Sequence, residues 1–395
     1  MATRGHFRRA QRRGFIIVPK QTWEELRTYP EFRLVRGGRF LVAELKVPHR
    51  VLSTSVRNGG QQDCVRHLVN HQSCEASDHH ERHHLISDMG QEQYHDAACG
   101  EIGLDPSTTA MMGTAANMNY ASIVDASDEL LRVTAVVTAG VQGNAACAGD
   151  PAAWRETETG WRKVAASAGT INTMLLVNHP MTAGTLARAV VTMTEAKTAA
   201  LQRLAVRSLY SPDPATGTGT DQYCLAATIH GAKPLTSASP HVVLGELIGR
   251  AVREATLEAL RWQNGLEPSV TRGLFHALGR FGLSESTFFD EIAGRLAERE
   301  LELLRRNSKA VFYEPMVSAA AYAIAAVLDR VRYGTLPPGA AREAIRQQAA
   351  TLAANLAAKP GDWAQFRAKL GEADPDRPLG LVLDAIAAGW SSKWR

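Results

Sequence analysis

Long apolar runs are missing from this sequence. The longest, Met316 to Leu328, is alanine-rich and stops short of the roughly 20 residues that a membrane span needs. Cysteine is scarce too: Cys64, Cys74, Cys99, Cys147 and Cys224 make an odd set with no CxxC spacing. That favours free thiols in a reducing cytoplasm over a disulfide framework. The basic N-terminus is not followed by an apolar core and a cleavage site, so no secretory signal is expected. No period suggests a repeat architecture. Acid is absent from the first twenty residues, where Arg4, Arg8, Arg9, Arg12, Arg13 and Lys20 all fall. Without those six the net charge of +4 becomes −2, so the basic character belongs to the tail. The tail reads as a solvated arm or an anion contact, and the body of the chain offers no nucleic-acid groove.

What is present fits a globular protein. Hydrophobic residues make up 45% of 395 and charged residues 21%, enough for a substantial core and long enough for two domains. Arg39–Val47 and Arg50–Val56 read as strands, and Asp63–Asn70 as a helix. Arg132–Thr138, Thr170–Asn178 and Tyr223–Ile229 read as buried strands. Thr182 is placed to cap a long helix running to about Val206. Ser239-Pro240 is a helix-start signal for a helix that carries Leu244, Leu247, Ile248, Ala251 and Ala255 on one face and ends at Asn264-Gly265. Alternating strands and helices predict a layered α/β domain with a mixed sheet over residues 31–265, after a basic segment 1–30. From Val270 onward only helical patterns remain, broken at Pro337-Pro338, Pro360-Gly361 and Pro375, so residues 266–395 are expected to form an all-α domain.

Two stretches carry chemistry. Thr194-Glu195-Ala196-Lys197 puts an acid and a base on the 182–206 helix. Lys197 falls inside the apolar stripe of Leu186, Val190, Met193, Ala200, Leu201 and Leu204, where a lysine must snorkel or find a carboxylate. Glu195 falls on the opposite side, near Arg188, where a surface ion pair is the plain reading. About twenty residues on, Ala215-Thr216-Gly217-Thr218-Gly219-Thr220-Asp221 alternates hydroxyls with glycines before an acid. Such a loop lets backbone N–H groups approach a ligand and adds hydroxyl donors.

Five segments in order resemble one family: Thr138-Ala139-Gly140-Val141 with Asn144 and Gly149-Asp150; Gly169-Thr170-Ile171-Asn172; Thr194 to Lys197; Ala215 to Asp221; and His241 with Leu244-Gly245-Glu246-Leu247-Ile248-Gly249. The set is similar to the adenosylcobinamide amidohydrolases of cobalamin salvage and runs from about residue 35 to 263. The resemblance implies hydrolysis of the amide joining aminopropanol to a corrin propionate, with adenosylcobyric acid as product and the corrinoid cobalt arriving as part of the substrate.

Catalytic roles follow from the chemistry of amide hydrolysis, which needs an activated water or nucleophile, an oxyanion stabiliser and a proton donor for the amine. Asp221 or Glu195 is the candidate base, Lys197 a charge stabiliser and His241 the proton donor. Thr218 or Thr220 would need a base beside it to act as nucleophile. Asn144, Asp150, Thr170, Asn172 and Glu246, with Thr216, Gly217, Thr218, Gly219 and Thr220, are candidates for substrate binding. Glu246 is equally explained by an ion pair with Arg250 one turn on.

Seven of the thirteen histidines lie between His67 and His95. If Asp63–Cys74 is helical, Cys64, His67, His71 and Cys74 share a face. His80-Glu81-Arg82-His83-His84 also satisfies H-E-x-x-H, the spacing that puts two histidines on zinc. A divalent metal on His71, Cys74, His80 and His84, a corrinoid contact and a solvated polar loop are all open readings of this segment. Rival functions are accordingly a metal-dependent amidase acting on another substrate, or a corrinoid- or metal-binding protein without turnover. The helical domain is expected to support a homodimer or to cover the site, and the partner of the whole chain is a small corrinoid, not a nucleic acid or a membrane.

Overall fold

The computed structural model describes residues 22–74, 86, 89–152, 154–158, 160–163, 169–268, 272–374 and 377–393. The basic segment up to residue 21, His79, His80, His83 and His84, and Pro375 lie outside the described residues. The chain divides into two compact units. One takes Met1–Gly143, Ser167–Ala196 and Gly219–Ala259; the other takes Asn144–Ala166, Lys197–Thr218 and Leu260–Arg395. Segments 144–166 and 197–218 therefore group with the helical part of the chain.

The first unit holds two mixed sheets. The five-stranded sheet is ordered β1 (Glu24–Thr28), β2 (Phe32–Gly37), β3 (Phe40–Leu45), β6 (His67–Gln72) and β7 (Thr109–Thr114). The six-stranded sheet is ordered β5 (Gly60–Gln62), β4 (His49–Ser53), β15 (Gln222–Thr228), β13 (Ile171–Val177), β9 (Leu131–Ala139) and β8 (Ser122–Asp128). Among the described strands of these two sheets, β6 with β7 and β13 with β15 pair in parallel and the rest antiparallel. Alternate residues of both sheets meet in one buried cluster: Leu34, Leu41, Leu68 and Met112 from the first, Val136, Met174, Leu176 and Ala226 from the second. The two-residue period of a strand therefore builds a face-to-face sandwich.

Each sheet buries its other face as well. Val35, Phe40, Val42 and Val69 pack with Ala98 of α1 (Gln91–Glu101). On the six-stranded sheet all seven residues of β13 are buried, so strand and helix patterns cannot be told apart there by alternation. The helix α2 (Ala183–Arg203) starts at Thr182, whose hydroxyl accepts the Thr185 N–H at 3.2 Å. Its stripe of Leu186, Met193, Ala200, Leu201 and Leu204 is buried as expected, with Val190 half-buried. In α3 (Val243–Asn264) the expected face, Leu244, Leu247, Ile248, Ala251 and Ala255, is buried, and the helix stops at Gly265 in the left-handed region.

The helix expected over Asp63–Asn70 is not formed. Residues 67–72 are strand β6, between β3 and β7. The segment lacks visible alternation because both its faces are buried, with Asn70 and His71 hydrogen-bonded inside the layers and His67 Nδ1 buried without a partner among the described residues. Asn70 faces the sandwich interior with Leu68, while His71 faces the other way, stacked on Phe40 at 4.3 Å. Tertiary pairing overrides the local pattern.

In the second unit, β10 (Ala145–Ala146) pairs with β14 (Gly217–Thr218), and β11 (Trp154–Thr157) with β12 (Gly160–Lys163). From residue 274 onward the described chain is helical, as expected: α4 (Leu274–Leu278), α5 (Glu285–Ala293), α6 (Glu298–Arg306), α7 (Lys309–Phe312), α8 (Pro315–Arg332), α9 (Pro338–Leu356), α10 (Trp363–Lys369) and α11 (Leu379–Ser392). Alanines 320, 321 and 325 of α8 and 341, 349, 350 and 353 of α9 are buried together, and small side chains let such helices approach closely. Phe275, Phe288 and Phe312 add edge-to-face contacts to this core. Among the described residues no helix is long and apolar enough to cross a membrane.

Candidate active site

The centre of the first unit ends in a polar cluster. Asn172 stands in register between Thr138 of β9 and Gln222 of β15, so these side chains share one face at the strand ends. Asn172 Nδ2 donates to Asn70 Oδ1 at 2.9 Å and to the Gly113 carbonyl at 3.1 Å. Asn70 Nδ2 donates to Thr138 Oγ1 at 2.8 Å, and Gln222 Oε1 accepts the Gly113 N–H at 2.9 Å. Asn70, Thr138 and Asn172 are buried. Burying amides and hydroxyls is tolerated because they are mutually paired.

The same bonds seal the edge strand β7. Its residues 109, 111 and 113 turn backbone groups away from β6, and side chains meet them. Asn58 donates to the Thr109 carbonyl at 2.8 Å, Ser55 Oγ accepts the Met111 N–H at 2.9 Å, and Gln222 and Asn172 take both polar groups of Gly113. Unpaired edge groups are otherwise open to intermolecular pairing.

Beside this seam lies Asp221. Its Oδ1 accepts the Ile171 N–H at 3.0 Å. Thr170 Oγ1 lies 2.5 Å from the Thr220 carbonyl and 3.3 Å from Asn172 Oδ1, and the Thr220 hydroxyl donates to the Gly169 carbonyl at 2.7 Å. Three bonds thus clasp 169–171 to 220–221, where the parallel strands β13 and β15 begin. Asp221 is half-buried and Gly219 and Thr220 are exposed, so a fixed carboxylate meets solvent at the rim of a polar interior. Thr170, Asn172, Thr220 and Asp221 are brought together here. Asn70, Gly113 and Gln222 join them and were not foreseen.

Other candidates gather in the second unit. Asn144 Oδ1 accepts the Tyr210 hydroxyl at 2.9 Å, the Tyr210 N–H donates to Ser208 Oγ at 2.9 Å, and Ser208 Oγ donates to Asp150 Oδ2 at 2.5 Å. Asp150 also accepts the Cys147 N–H at 2.6 Å. Desolvation alone would raise the Asp150 carboxyl, but the donors Ser208, Ser211 and the Cys147 N–H outweigh it and hold it below the ordinary range. Thr216 Oγ1 accepts the Ala148 N–H at 2.9 Å, and Gly217-Thr218 is held in extended pairing with Ala145-Ala146. Tyr210 and Ser208 carry this network and lie in a stretch, 207–213, with no pattern to mark them.

Glu195 is exposed and lies 3.7 Å from Arg188. Lys197, two residues on, belongs to the second unit and is half-buried. His241 is exposed just before α3. Glu246 pairs with Arg250 at 3.3 Å across one helical turn. The motif residue Gly245 has a packing reason: a Cβ there would stand 1.9 Å from the Ser239 carbonyl oxygen, so only glycine lets α3 begin against residues 238–239.

In the histidine-rich stretch, His71 Nε2 and the Tyr94 hydroxyl share a hydrogen bond at 2.9 Å, and Cys74 is buried. With residues 67–72 a strand, Cys64, His67, His71 and Cys74 do not form a helical face. Among the described residues no group of three His, Cys, Asp or Glu could hold a metal ion. Burial pushes the Cys99 thiol up to about 11 and Cys224, inside the sandwich, up to about 12, so neither is placed to serve as a thiolate nucleophile.

The architecture is that of an α/β protein with an added helical unit and a carboxylate clasped at the strand ends of the sandwich. The chain belongs to the adenosylcobinamide amidohydrolase family, which it matches over residues 25–268. It is also 31% identical over 243 residues to the uncharacterized protein MJ1613 of Methanocaldococcus jannaschii, across 90% of that protein and 59% of this chain. The family match stops before α4, so the helices from residue 274 onward lie outside it.

Proposed function

We propose that the chain hydrolyses adenosylcobinamide at the amide between aminopropanol and the corrin propionate, releasing adenosylcobyric acid. The family match over 25–268 carries this reading, because it includes both sheets of the sandwich and the clasped Asp221. Asp221 takes a proton from water as the new C–O bond forms at the amide carbon. The exposed Gly219 peptide, two residues away and without a side chain, is the proposed donor to the developing oxyanion. As the C–N bond breaks, the nitrogen leaves with the proton held by Asp221, giving a carboxylic acid and an amine. Asn172, Asn70 and Thr138 act behind the site by fixing Thr170 and the strand starts.

Asp221 is preferred to Glu195 as base because Glu195 sits on an exposed helix face beside Arg188. Lys197, in the other unit, has no step in this proposal. The decisive experiment incubates purified protein with adenosylcobinamide and looks for adenosylcobyric acid by mass, with and without chelator. Product that survives chelation supports the reading. Failure to form any product sinks it, and product lost on chelation moves the chemistry to a metal.

A further inference from the structure

The second unit contains a half-buried guanidinium with no acid beside it among the described residues. Arg207 has no carboxylate partner among the described residues, whereas Arg280 pairs with Asp329. The Arg207 guanidinium lies flat against Gly279: a Cβ added there would stand 3.2 Å from its carbon and one nitrogen and 3.3 Å from the other. The absent side chain is what lets the group settle at this place. Arg280 follows Gly279 in the chain, His276 precedes it by three residues within α4, and both lie near enough to Arg207 to interact with it electrostatically. Desolvation pushes Arg207 down, and the neighbouring Arg280 adds to that; desolvation and then Arg207 push His276 down. On α8, Tyr322 lies two turns before Asp329 on the same face, and its hydroxyl is buried with no hydrogen-bond partner.

A guanidinium removed from water without a counter-charge is costly, and mutual repulsion with a second one adds to the cost. Its fork of N–H donors matches a planar or tetrahedral oxyanion. Asp329 neutralises one arginine of the pair and leaves one positive charge over. We propose that Arg207 and Arg280 bind an oxyanion, a phosphoryl or carboxylate group, at the end of α4. The inference does not rest on the hydrolytic reading, since none of these residues belongs to the site described above.

Titrating the full-length protein with inorganic phosphate or with acetate, against chloride at matched ionic strength, tests the proposal by calorimetry and by the thermal midpoint. Saturable binding of at least one oxyanion and a midpoint that climbs with its concentration are expected. A response to phosphate alone assigns a phosphoryl group, and one to acetate alone a carboxylate. Arg207→Gln should weaken binding at least tenfold, and Arg207→Lys, which keeps the charge but loses the fork, should weaken it less. Gly279→Ala should also weaken it by displacing the guanidinium. A wild type that responds to neither anion beyond chloride, or an Arg207→Lys and Arg207→Gln pair that both bind as the wild type does, overturns the proposal. If Arg207→Gln does not fold, Arg207→Lys and Gly279→Ala still decide.

Discussion

Asn172 reaches across the sandwich to Asn70: its side-chain N–H meets Asn70 Oδ1 at 2.9 Å, linking the second strand sheet to the first in their buried interior. The other N–H of that amide holds the Gly113 carbonyl on the edge strand. Truncation to alanine would strand two buried acceptors, each costing about 1–3 kcal/mol when left unmade. Asn172→Ala should therefore destabilise the protein by about 2–4 kcal/mol, read as a lower urea midpoint at unchanged slope. A loss below about 1 kcal/mol would mean the seam is not held by this amide.

Gly245 makes a second structural prediction. A methyl at this position would overlap the Ser239 carbonyl oxygen at 1.9 Å, and the obstacle is backbone, not a movable side chain. Gly245→Ala should cost about 1–3 kcal/mol, the range of overpacking, despite the helix preference for alanine. Gly249, one turn on, has open space at its Cβ, so Gly249→Ala should be neutral or stabilising. Thermal midpoints of the two variants moving together would refute this contrast.

Much of the fold was legible because its buried helices and strands carry the expected periods. The apolar face of α3 and the cap at Thr182 were both readable, and so were the strands β9, β13 and β15. Asp221 stood out because a loop of glycines and hydroxyls ends in an acid, and Thr170 through the Gly169-Thr170-Ile171-Asn172 segment of the family resemblance. Asn70 and Gln222 did not stand out. Asn70 sits in a strand buried on both faces among histidines, where no alternation shows, and its partner Thr138 is 68 residues away in the chain. Ser208 and Tyr210 act through long-range bonds to Asp150 and Asn144, which no spacing encodes.

Stability should fall in mild acid. Desolvation pushes His49, His67 and His95 below the ordinary value of 6.5, against smaller upward pulls from backbone carbonyls or nearby acids. As pH drops below about 6.5 the unfolded chain takes up protons that the folded one refuses, so folding loses free energy. The contribution is complete above 6.5 and is lost progressively as pH falls toward the depressed folded values. Urea midpoints should be flat from pH 8 to about 7 and decline below 6.5. His95→Gln should flatten that decline, and an equally steep decline in the variant would assign the effect elsewhere.

The proposed hydrolysis turns on Asp221. Asp221→Asn keeps an oxygen that can accept the Ile171 N–H, so the clasp at the strand starts survives and stability should change by less than about 1 kcal/mol. What the variant loses under the proposed mechanism is the general base that takes a proton from water, a role worth about 10²–10⁴-fold in rate. Hydrolysis of adenosylcobinamide should therefore fall by that factor while binding of the corrinoid persists. Glu195→Gln removes only an exposed partner of Arg188, a contact worth at most about 1 kcal/mol, and should leave the rate within about twofold. Full activity in Asp221→Asn would exclude this carboxylate as the base. A large loss in Glu195→Gln with stability intact would transfer the role to the helix, and comparing kcat with KM for both variants separates a lost base from a lost contact.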